Sequence, residues 1–496
     1  LKVREALERV LRLISVGSKR FLTTNVDRSV TGLIARQQCC GPLQLTVADV
    51  AVIAQSHFDT SGAATAIGEQ PIKGLIDPAA MARMAVGEAL TNLVWARLSA
   101  LEDVRCSANW MWAAKLPGEG AALYDAAKAM RDVMVELGIA IDGGKDSLSM
   151  AALAPTTDGP DETVKAPGAL VVSAYATVPN IRQVVTPDLK RPGRSRLLLV
   201  DLGGGRQRLG GSALAQVFEQ LGDAVPDLED ASILKRAFQA TQALITAGRI
   251  HAGHDRSDGG LVTTALEMAF AGNCGLELDT TGEGGAIPTL FHEELGLVLE
   301  VDDDAAEGIV ATYAELGVPC REIGRSIDGT SVVIRHDGET VLEGDVRELR
   351  DLWEETSFEL DRRQANPACV AQERQGLRDR KAPPFQLTYT PHPTLPAVDD
   401  QREVFRVAIL REEGSNGDRE MTSAFHAAGF EAWDVTVSDL LAGRVHLDQF
   451  RGIVAVGGFS YADVLDAAKG WAGTIRFHEE LKQQFQAFYE RPDTFS

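Results

Sequence analysis

The chain has 496 residues, 45% of them hydrophobic and 6% aromatic, and a formal net charge of −22. That composition is typical of a globular protein, and the length predicts two to four domains. The acidic balance argues against nucleic acid or an acidic membrane as a partner. A polyanionic small ligand would have to be held locally, by backbone amides, a few cations or metal ions.

The cysteines are few and scattered without metal-ligand spacing (Cys39, Cys40, Cys106, Cys274, Cys320 and Cys369). This usage fits a reducing compartment without a disulfide framework. No signal peptide is recognisable, and no apolar run reaches the roughly 20 residues that span a bilayer. We therefore expect a cytoplasmic protein. The chain begins with Leu1 and not with Met, which we interpret as the mark of a fragment.

The first elements alternate between strands and a helix. "VADVAVIA" (47–54) predicts a buried strand, and "GALVVSAYATV" (168–178) predicts another. Between them, residues 75–101 predict a helix with Asp77 as N-cap and Pro78 at the first helical position.

A second group of elements follows "RPG" at 191–193. "RLLLVDLGGG" (196–205) predicts a strand that ends in a glycine turn. "SVVIRHDGETVLEG" (331–344) predicts a hairpin whose turn is Asp337-Gly338.

The last part of the chain changes composition. Residues 362–403 are charged and proline-rich, which predicts a linker or an extended wrapping segment. Strands are predicted again within 404–414 and 452–460, the second running into Gly457-Gly458. The layout is two mixed α/β domains, a linker and the opening of a third α/β unit.

Three oxygen-bearing side chains are predicted to point inward. At about 100° per residue, Glu88 and Asn92 share a helix face that lies nearly opposite Arg83 and Arg97, which mark the solvent side. Asp49 lies within the apolar "VADVAVIA". An inward carboxylate needs a partner, which can be backbone N–H or a cation. Carboxylate and amide oxygens also suit Mg²⁺, and this alternative stays open beside the structural one.

"GHDRSDGG" (253–260) adds Asp255 and Asp258, with Ser257 between them, ahead of a helical run. Amides at a helix start suit phosphate oxygens, although an N-cap Asp explains part of the pattern without a ligand. His254 is a candidate site histidine, and His57 is a second.

Two further glycine-bearing stretches have both a ligand-binding and a structural interpretation. "IDGGKDSLSM" (141–150) and "GGGRQRLGGS" (203–212) could cradle a phosphate or form plain turns. No G-x-x-x-x-G-K-[ST] occurs in the chain, so Mg²⁺–nucleotide binding without a P-loop is the economical interpretation.

Longer motifs resemble one family. "VADVAV", "AVGEALTN", "SANWMWAAKLPGEG", "DGGKDSLSM", "LGGSALAQVF", "GHDRSDGGL", "EMAFAGNCGL" and "FHEELG" occur in the order seen in phosphoribosylformylglycinamidine synthases. "REEGSNGDREM" and "VGGFSYADVLDAAKGWA" follow in the same order. The resemblance covers essentially the whole chain. The residues of these motifs are more similar to those of the large eukaryotic form than to those of the bacterial form.

The resemblance implies an α/β (α+β) fold with aminoimidazole-ribonucleotide-synthetase-like N- and C-terminal domains, followed by a truncated class I glutaminase domain. The expected domains are 1–185 (synthetase-like N-terminal domain, second copy), 186–350 (its C-terminal domain), 351–403 (linker or wrapping segment) and 404–496 (glutaminase start).

It also implies site residues. The nucleotide contacts would be Ala48, Ser257, Lys145 and Ser147. The Mg²⁺ ligands would be Asp49, Glu88, Asn92 and Asp255, with Asp146 as a further metal or phosphate contact. Gly457, Gly458 and Phe459 match the loop that supplies oxyanion-hole amides in the glutaminase. "DGGKDSLSM" is then favoured as a ligand-facing loop.

The family's reaction converts formylglycinamide ribonucleotide, glutamine and ATP into the amidine, glutamate, ADP and phosphate, with Mg²⁺ and ATP or ADP bound. No cysteine follows Cys369, so we expect the glutaminase Cys and His to lie beyond Ser496. The first synthetase copy is also expected elsewhere in the same polypeptide. The isolated chain would then be an inactive part of a purine-pathway ligase.

Two alternatives remain. The chain could be a non-catalytic, Mg²⁺–nucleotide-binding structural module of the synthetase superfamily. It could instead resemble selenophosphate synthetase or thiamine-phosphate kinase, but the glutaminase that begins near Phe405 disfavours this, because those enzymes carry none.

Overall fold

A computed structural model describes residues 1–25, 28, 32–156, 159–381, 386–390, 404–461 and 464–496. The chain divides into two compact units, Leu1–Pro383 and Pro384–Ser496. Both predicted synthetase-like domains fall in the first unit, and their boundaries stay predictions. Within the described residues, no helix combines the length and apolar character needed to cross a lipid bilayer.

The first half of unit one contains a six-stranded sheet in the order β1-β2-β3-β8-β4-β5, antiparallel except for the β4–β5 pair. Its strands and those of a separate hairpin, β6–β7, are β1 (Ile34–Arg36), β2 (Ala51–Ala54), β3 (Gly62–Glu69), β4 (Arg105–Met111), β5 (Ala140–Ser147), β6 (Ala151–Ala154), β7 (Glu162–Lys165) and β8 (Ala169–Val178). The helices are α1 (Val3–Val10), α2 (Arg20–Thr23), α3 (Pro78–Leu93) and α4 (Glu119–Leu137).

The second half contains a seven-stranded mixed sheet in the order β10-β12-β9-β13-β11-β14-β15. Its strands are β9 (Ser195–Asp201), β10 (Ala252–Asp255), β11 (Gly275–Thr280), β12 (Gly296–Asp302), β13 (Cys320–Ile327), β14 (Ser331–His336) and β15 (Glu339–Asp345). The helices are α5 (Ala213–Val217), α6 (Ala231–Thr246), α7 (Gly260–Gly272), α8 (Ala286–Phe291), α9 (Ala306–Glu315), α10 (Val346–Gln364) and α11 (Pro367–Leu377).

The second sheet is buried on both faces. Leu198 and Val200 of β9 face one hydrophobic cluster, which also contains α3, α4 and the first sheet. Leu197 and Leu199 face the other cluster, which contains α1, α7 and α10. Because side chains alternate along a strand, the continuous apolar run of β9 serves both cores.

Helix α3 packs closely on β3. Asp77 accepts hydrogen bonds from the amides of Ala79 and Ala80, so the predicted N-cap and helix start are confirmed. A Cβ at Gly68 of β3 would lie 2.1 Å from the carbonyl oxygen of Ala85, so only glycine permits this approach. The helix ends at Leu93, earlier than predicted.

The prediction of a linker or wrapping segment is partly wrong, because this part of the chain begins with helices. Helix α10 runs to Gln364, and α11 starts at Pro367 after an Asn366 N-cap. Trp353 and Phe358 of α10 lie in the second hydrophobic cluster. Their burial stabilises a helix that proline and charge content alone did not predict. The proline-rich stretch at 391–403 lies outside the described residues.

Unit two has a three-stranded parallel sheet in the order β17-β16-β18. Its strands are β16 (Arg406–Arg411), β17 (Glu431–Thr436) and β18 (Gly452–Ala455), and its helices are α12 (Asp418–Ala427), α13 (Val437–Leu441), α14 (Ala467–Phe477) and α15 (Glu479–Glu490). Both predicted strands of this unit are confirmed, and so is the hairpin at Asp337-Gly338 in unit one.

Candidate metal and nucleotide site

The side chains of Asp49, His254 and Asp255 meet in the first unit, with their ligand atoms within 4.8 Å of one another. His254 Nδ1 lies 2.7 Å from Asp49 Oδ1, and the backbone amide of Asp255 donates to Asp49 Oδ2 at 3.1 Å. The side chains of Asp49 and Asp255 are each 3% exposed. Two carboxylates and an imidazole are therefore concentrated where little water reaches.

Asp255 is poorly satisfied in this arrangement. Its Oδ2 is buried and has no hydrogen-bond partner among the described residues. Burial, together with the charge of Asp49, raises the pKa of Asp255 to about 8. A buried carboxylate oxygen without a donor is costly and suits a cation.

The cluster joins the two halves of unit one. Asp49 lies in a bend just before β2, so the prediction of a strand across 47–54 is wrong at its start. His254 and Asp255 end β10, which pairs with β12 in the second sheet. Only the packing of one sheet against the other brings these residues together.

Glu88 and Asn92 lie on the face of α3 that covers β3. Glu88 Oε2 accepts from the amide of Glu69 at 2.7 Å, and Asn92 Nδ2 donates to the carbonyl of Ile67 at 2.9 Å. This is the backbone hydrogen bonding that the structural alternative predicted. It leaves the Asn92 oxygen available as a ligand.

The acidic side chains nearby also affect the pKa of Glu88. Burial raises its pKa well above the ordinary value, and the charges of Asp255 and Asp258 raise it further.

The prediction that Arg83 marks the solvent side of α3 is only partly correct. Arg83 forms two hydrogen bonds of 2.7 Å each to the carboxylate of Asp227, which make a bidentate ion pair.

The loop between β10 and α7 carries Ser257 and Asp258. The amide of Gly259 donates to Glu293 Oε1 at 2.8 Å, and Glu293 Oε2 lies 2.8 Å from the ammonium of Lys73. Gly259, the residue before α7, has φ of +85°. Lys73 and Glu293 were not predicted, since no local pattern links residues 220 positions apart.

Glu267 was also missed, although a pattern could have revealed it. It is the lone charged residue in "LVTTALEMAFAG" of α7. Its Oε2 lies 3.1 Å from His254 Nε2, and its Oε1 accepts from Trp353 Nε1 at 3.1 Å. The other histidine singled out, His57, lies exposed in a loop.

Lys145, Asp146 and Ser147 are placed elsewhere. Residues 140–147 form β5 at the edge of the first sheet, so the expectation of a loop here is wrong. The parallel ladder with β4 extends this run as a strand despite its two glycines. Strands β3, β8 and β4 separate β5 from β2, on the order of 19 Å along the sheet. The structure does not join these three residues to the Asp49 cluster.

The glycine loop after β18 lies in unit two. Gly458 pairs with Ser415 in an isolated bridge, and the amide of Asn416 donates to the carbonyl of Gly457 at 3.2 Å. Phe459 is 60% exposed. Backbone hydrogen bonds thus hold this loop against the loop after β16, while the side chain of Phe459 is exposed.

The two carboxylates of the cluster, Asp49 and Asp255, suit Mg²⁺, because this ion prefers hard oxygen donors and Asp255 Oδ2 has no partner among the described residues. Glu88 and Asn92 carry further oxygen donors, which lie on α3. Ala48 adjoins Asp49, and its amide donates to the carbonyl of Gln38 at 2.8 Å.

Comparisons with known proteins agree on one family. Family models match residues 18–177 (FGAR-AT PurM_N-like domain), 196–337 (AIR synthase related protein, C-terminal domain) and 404–496 (CobB/CobQ-like glutamine amidotransferase domain). A probable phosphoribosylformylglycinamidine synthase of Arabidopsis thaliana is 60% identical over 99% of the chain, and the Homo sapiens enzyme is 57% identical over all of it. This chain belongs to the phosphoribosylformylglycinamidine synthase family.

The chain spans 35% of the Arabidopsis synthase and 37% of the human one. Among solved structures, Thermotoga maritima PurL complexed with FGAR aligns with a TM-score of 0.52 at 14% identity, covering 71% of this chain and 54% of that one. The phosphoribosylformylglycinamidine synthase II of the same organism aligns with a TM-score of 0.51. These two likenesses show that the fold is shared within the synthase family.

Proposed function

We propose that this chain is the part of a phosphoribosylformylglycinamidine synthase that holds a Mg²⁺–nucleotide site and the oxyanion loop of the glutaminase. The whole protein would convert formylglycinamide ribonucleotide, glutamine and ATP into the amidine in de novo purine synthesis. A cytoplasmic location belongs to the same proposal and is supported by six free cysteines.

The observation that carries the proposal is the buried pair of Asp49 and Asp255, in a chain with 57–60% identity to synthases along its length. Asp49, Glu88, Asn92 and Asp255 would bind Mg²⁺. Ala48 and Ser257, which adjoin this cluster in sequence, would contact the nucleotide.

Lys145 and Ser147 would contact phosphate or nucleotide at the other edge of the first sheet, with Asp146 as a further metal or phosphate contact. β5 is exposed along most of its length, so these side chains are open to a ligand. Their separation from Asp49 supports a second contact region and not an extension of the first.

In the proposed reaction, the amide oxygen of the substrate takes the γ-phosphoryl group of ATP and forms an iminophosphate, with release of ADP. Ammonia from glutamine then displaces phosphate and leaves the amidine. Bound Mg²⁺ would supply positive charge that offsets the charge on the phosphates. The chain's own contribution is to orient the nucleotide and to exclude water around Asp255.

Gly457, Gly458 and Phe459 would direct amides toward the oxyanion formed during glutamine hydrolysis. Their support is the fixed position of this loop against residues 412–416. Residues 404–496 contain no cysteine and so do not supply the nucleophile. The base that acts with this nucleophile would also come from elsewhere in the whole protein.

A chimera tests the function. The corresponding part of the human synthase is replaced by this chain, and the product is expressed in cells that lack the synthase. We expect growth without added purine. A chimera that folds and accumulates but supports no growth would contradict the proposal.

The nucleotide site is tested on the 496-residue chain. Mg-ADP should raise the free energy of unfolding of the wild type by about 4 kcal/mol at a thousandfold excess over the dissociation constant. The Asp49→Ala/Glu88→Ala variant should show no such effect, whereas Asp304→Ala/Glu307→Ala, at exposed positions, should respond like the wild type. Binding without growth of the chimera would favour the non-catalytic module instead.

A further inference from the structure

A continuous set of hydrogen bonds leads from helix α10 to Asp49. Trp353 Nε1 donates to Glu267 Oε1 at 3.1 Å, Glu267 Oε2 lies 3.1 Å from His254 Nε2, and His254 Nδ1 lies 2.7 Å from Asp49 Oδ1. The four residues come from α10, α7, β10 and the bend before β2. No two of them are neighbours in sequence.

Each end of the imidazole faces a carboxylate, so His254 can donate to both only as the imidazolium. The ring is 10% exposed. Its orientation is therefore determined by two charged acceptors and by packing.

Both oxygens of Asp49 are held. Oδ1 meets His254, and Oδ2 accepts from the amide of Asp255. A carboxylate oxygen has two lone pairs, so each oxygen keeps one for a metal ion. Outer partners of this kind set the direction of a ligand and affect metal affinity about 10- to 100-fold.

We infer that His254 and Glu267 are positioning residues that orient Asp49 for metal binding, and that Trp353 anchors the far end of this relay. The inference deepens the proposed function and rests on its Mg²⁺ site. It assigns a task to Glu267, the lone charged residue of the apolar helix α7, and to the indole N–H of Trp353 on α10.

The structure supports the anchoring task of Trp353. Its Nε1 also donates to the carbonyl of Val16 at 2.9 Å, and its ring packs against Phe270 with centroids 5.5 Å apart. Replacement by Phe keeps the aromatic packing and removes the N–H. Trp353→Phe is thus a variant that changes the relay without emptying the core.

The test measures ADP binding by calorimetry as a function of Mg²⁺ concentration, on the 496-residue chain. His254→Gln should raise the Mg²⁺ concentration needed for half-maximal ADP binding by about tenfold or more. Glu267→Gln should act in the same direction, and Trp353→Phe should act more weakly. His251→Gln is the matched control, because His251 faces Asp302 at 3.0 Å and not the cluster.

A purely structural role would instead lower the melting temperature of the nucleotide-free protein and leave the Mg²⁺ dependence unchanged. A second criterion is coupling. In an Asp49→Asn background, His254→Gln should cause no further loss, since the residue it orients is already altered.

Additive losses, or an unchanged Mg²⁺ midpoint in both His254→Gln and Trp353→Phe, would overturn the inference while the proposed site stands. If His254→Gln does not fold, Trp353→Phe decides alone. Absence of Mg-ADP binding by the wild type would overturn the proposed site and this inference together.

Discussion

The ammonium of Lys73 lies 2.8 Å from Glu293 Oε2, and their side chains are 2% and 1% exposed. Lys73 precedes α3 in the first half of unit one, and Glu293 lies between α8 and β12 in the second. The other oxygen of Glu293 accepts from the amides of Ala213 and Gly259 at 2.8 Å each. One carboxylate thus links the first half to the starts of α5 and α7.

Lys73→Met should lower the free energy of unfolding of unit one by about 3–5 kcal/mol, because it leaves Glu293 as a buried, uncompensated charge. Urea unfolding followed by circular dichroism measures the change. Lys73→Met/Glu293→Leu should recover part of the loss. Arg131→Met, at an exposed ion pair with Asp132, should cost less than about 1 kcal/mol. If Lys73→Met and Arg131→Met lowered the free energy of unfolding equally, the role of burial would be contradicted.

Stability should fall in mild acid because of His292. Burial and the nearby Arg256 lower the pKa of His292 to about 2. The unfolded chain, with a pKa near 6.5, then binds the proton first, so stability rises with pH between about 2 and 6.5. Lowering the pH from 7 to 5 should remove on the order of 2 kcal/mol through this group.

His292→Gln should make that dependence shallower, whereas His57→Gln, at an exposed loop position, should leave it unchanged. Unfolding midpoints at pH 5 and pH 7 provide the comparison. The same pH dependence in wild type and His292→Gln would show that other groups are responsible.

Gly458→Ala should disturb the glycine loop of unit two, and Gly457→Ala should not. Gly458 has φ of +127°, and a Cβ there would lie 2.7 Å from the carbonyl oxygen of Gly414. At Gly457 the same Cβ would meet no atom of the described residues within 4 Å. Such backbone strain costs about 1–3 kcal/mol. Hydrogen exchange should accelerate for amides of 412–416 in Gly458→Ala alone; equal exchange in both variants would be evidence against this interpretation.

The 496-residue chain by itself should release no glutamate from glutamine. Glutamine hydrolysis by this class of domain needs a cysteine thiolate beside a histidine base. None of the six cysteines follows Cys369, which precedes the proline-rich stretch. A glutaminase assay on the purified chain should stay at background. Activity abolished by alkylation of Cys369, with Cys320 intact, would overturn this expectation.

Local rules predicted the elements that local chemistry determines. The helix start at Asp77-Pro78 and the hairpin at Asp337-Gly338 depend on a few adjacent residues, and both were confirmed. The helices of 351–377 were missed because their stability comes from contacts of residues such as Trp353 with distant parts of the chain. Residues 140–147 were misjudged as a loop for a related reason, since pairing with β4 outweighs the weak strand propensity of two glycines.

By itself, the sequence determined which oxygen-bearing side chains are candidates for a site, and their role as metal ligands stays a prediction. Asp49, Glu88 and Asn92 stand out because a polar oxygen in an apolar pattern needs a partner, and Asp255 stands out in the glycine-bearing stretch 253–260. Which partners they have was decided by tertiary structure alone. The His254–Glu267–Trp353 relay and the Lys73–Glu293 pair join residues 13 to 220 positions apart. The physical reason is that hydrogen bonds and ion pairs depend on distances of about 3 Å in space, which only the packing of the two sheets and their helices establishes.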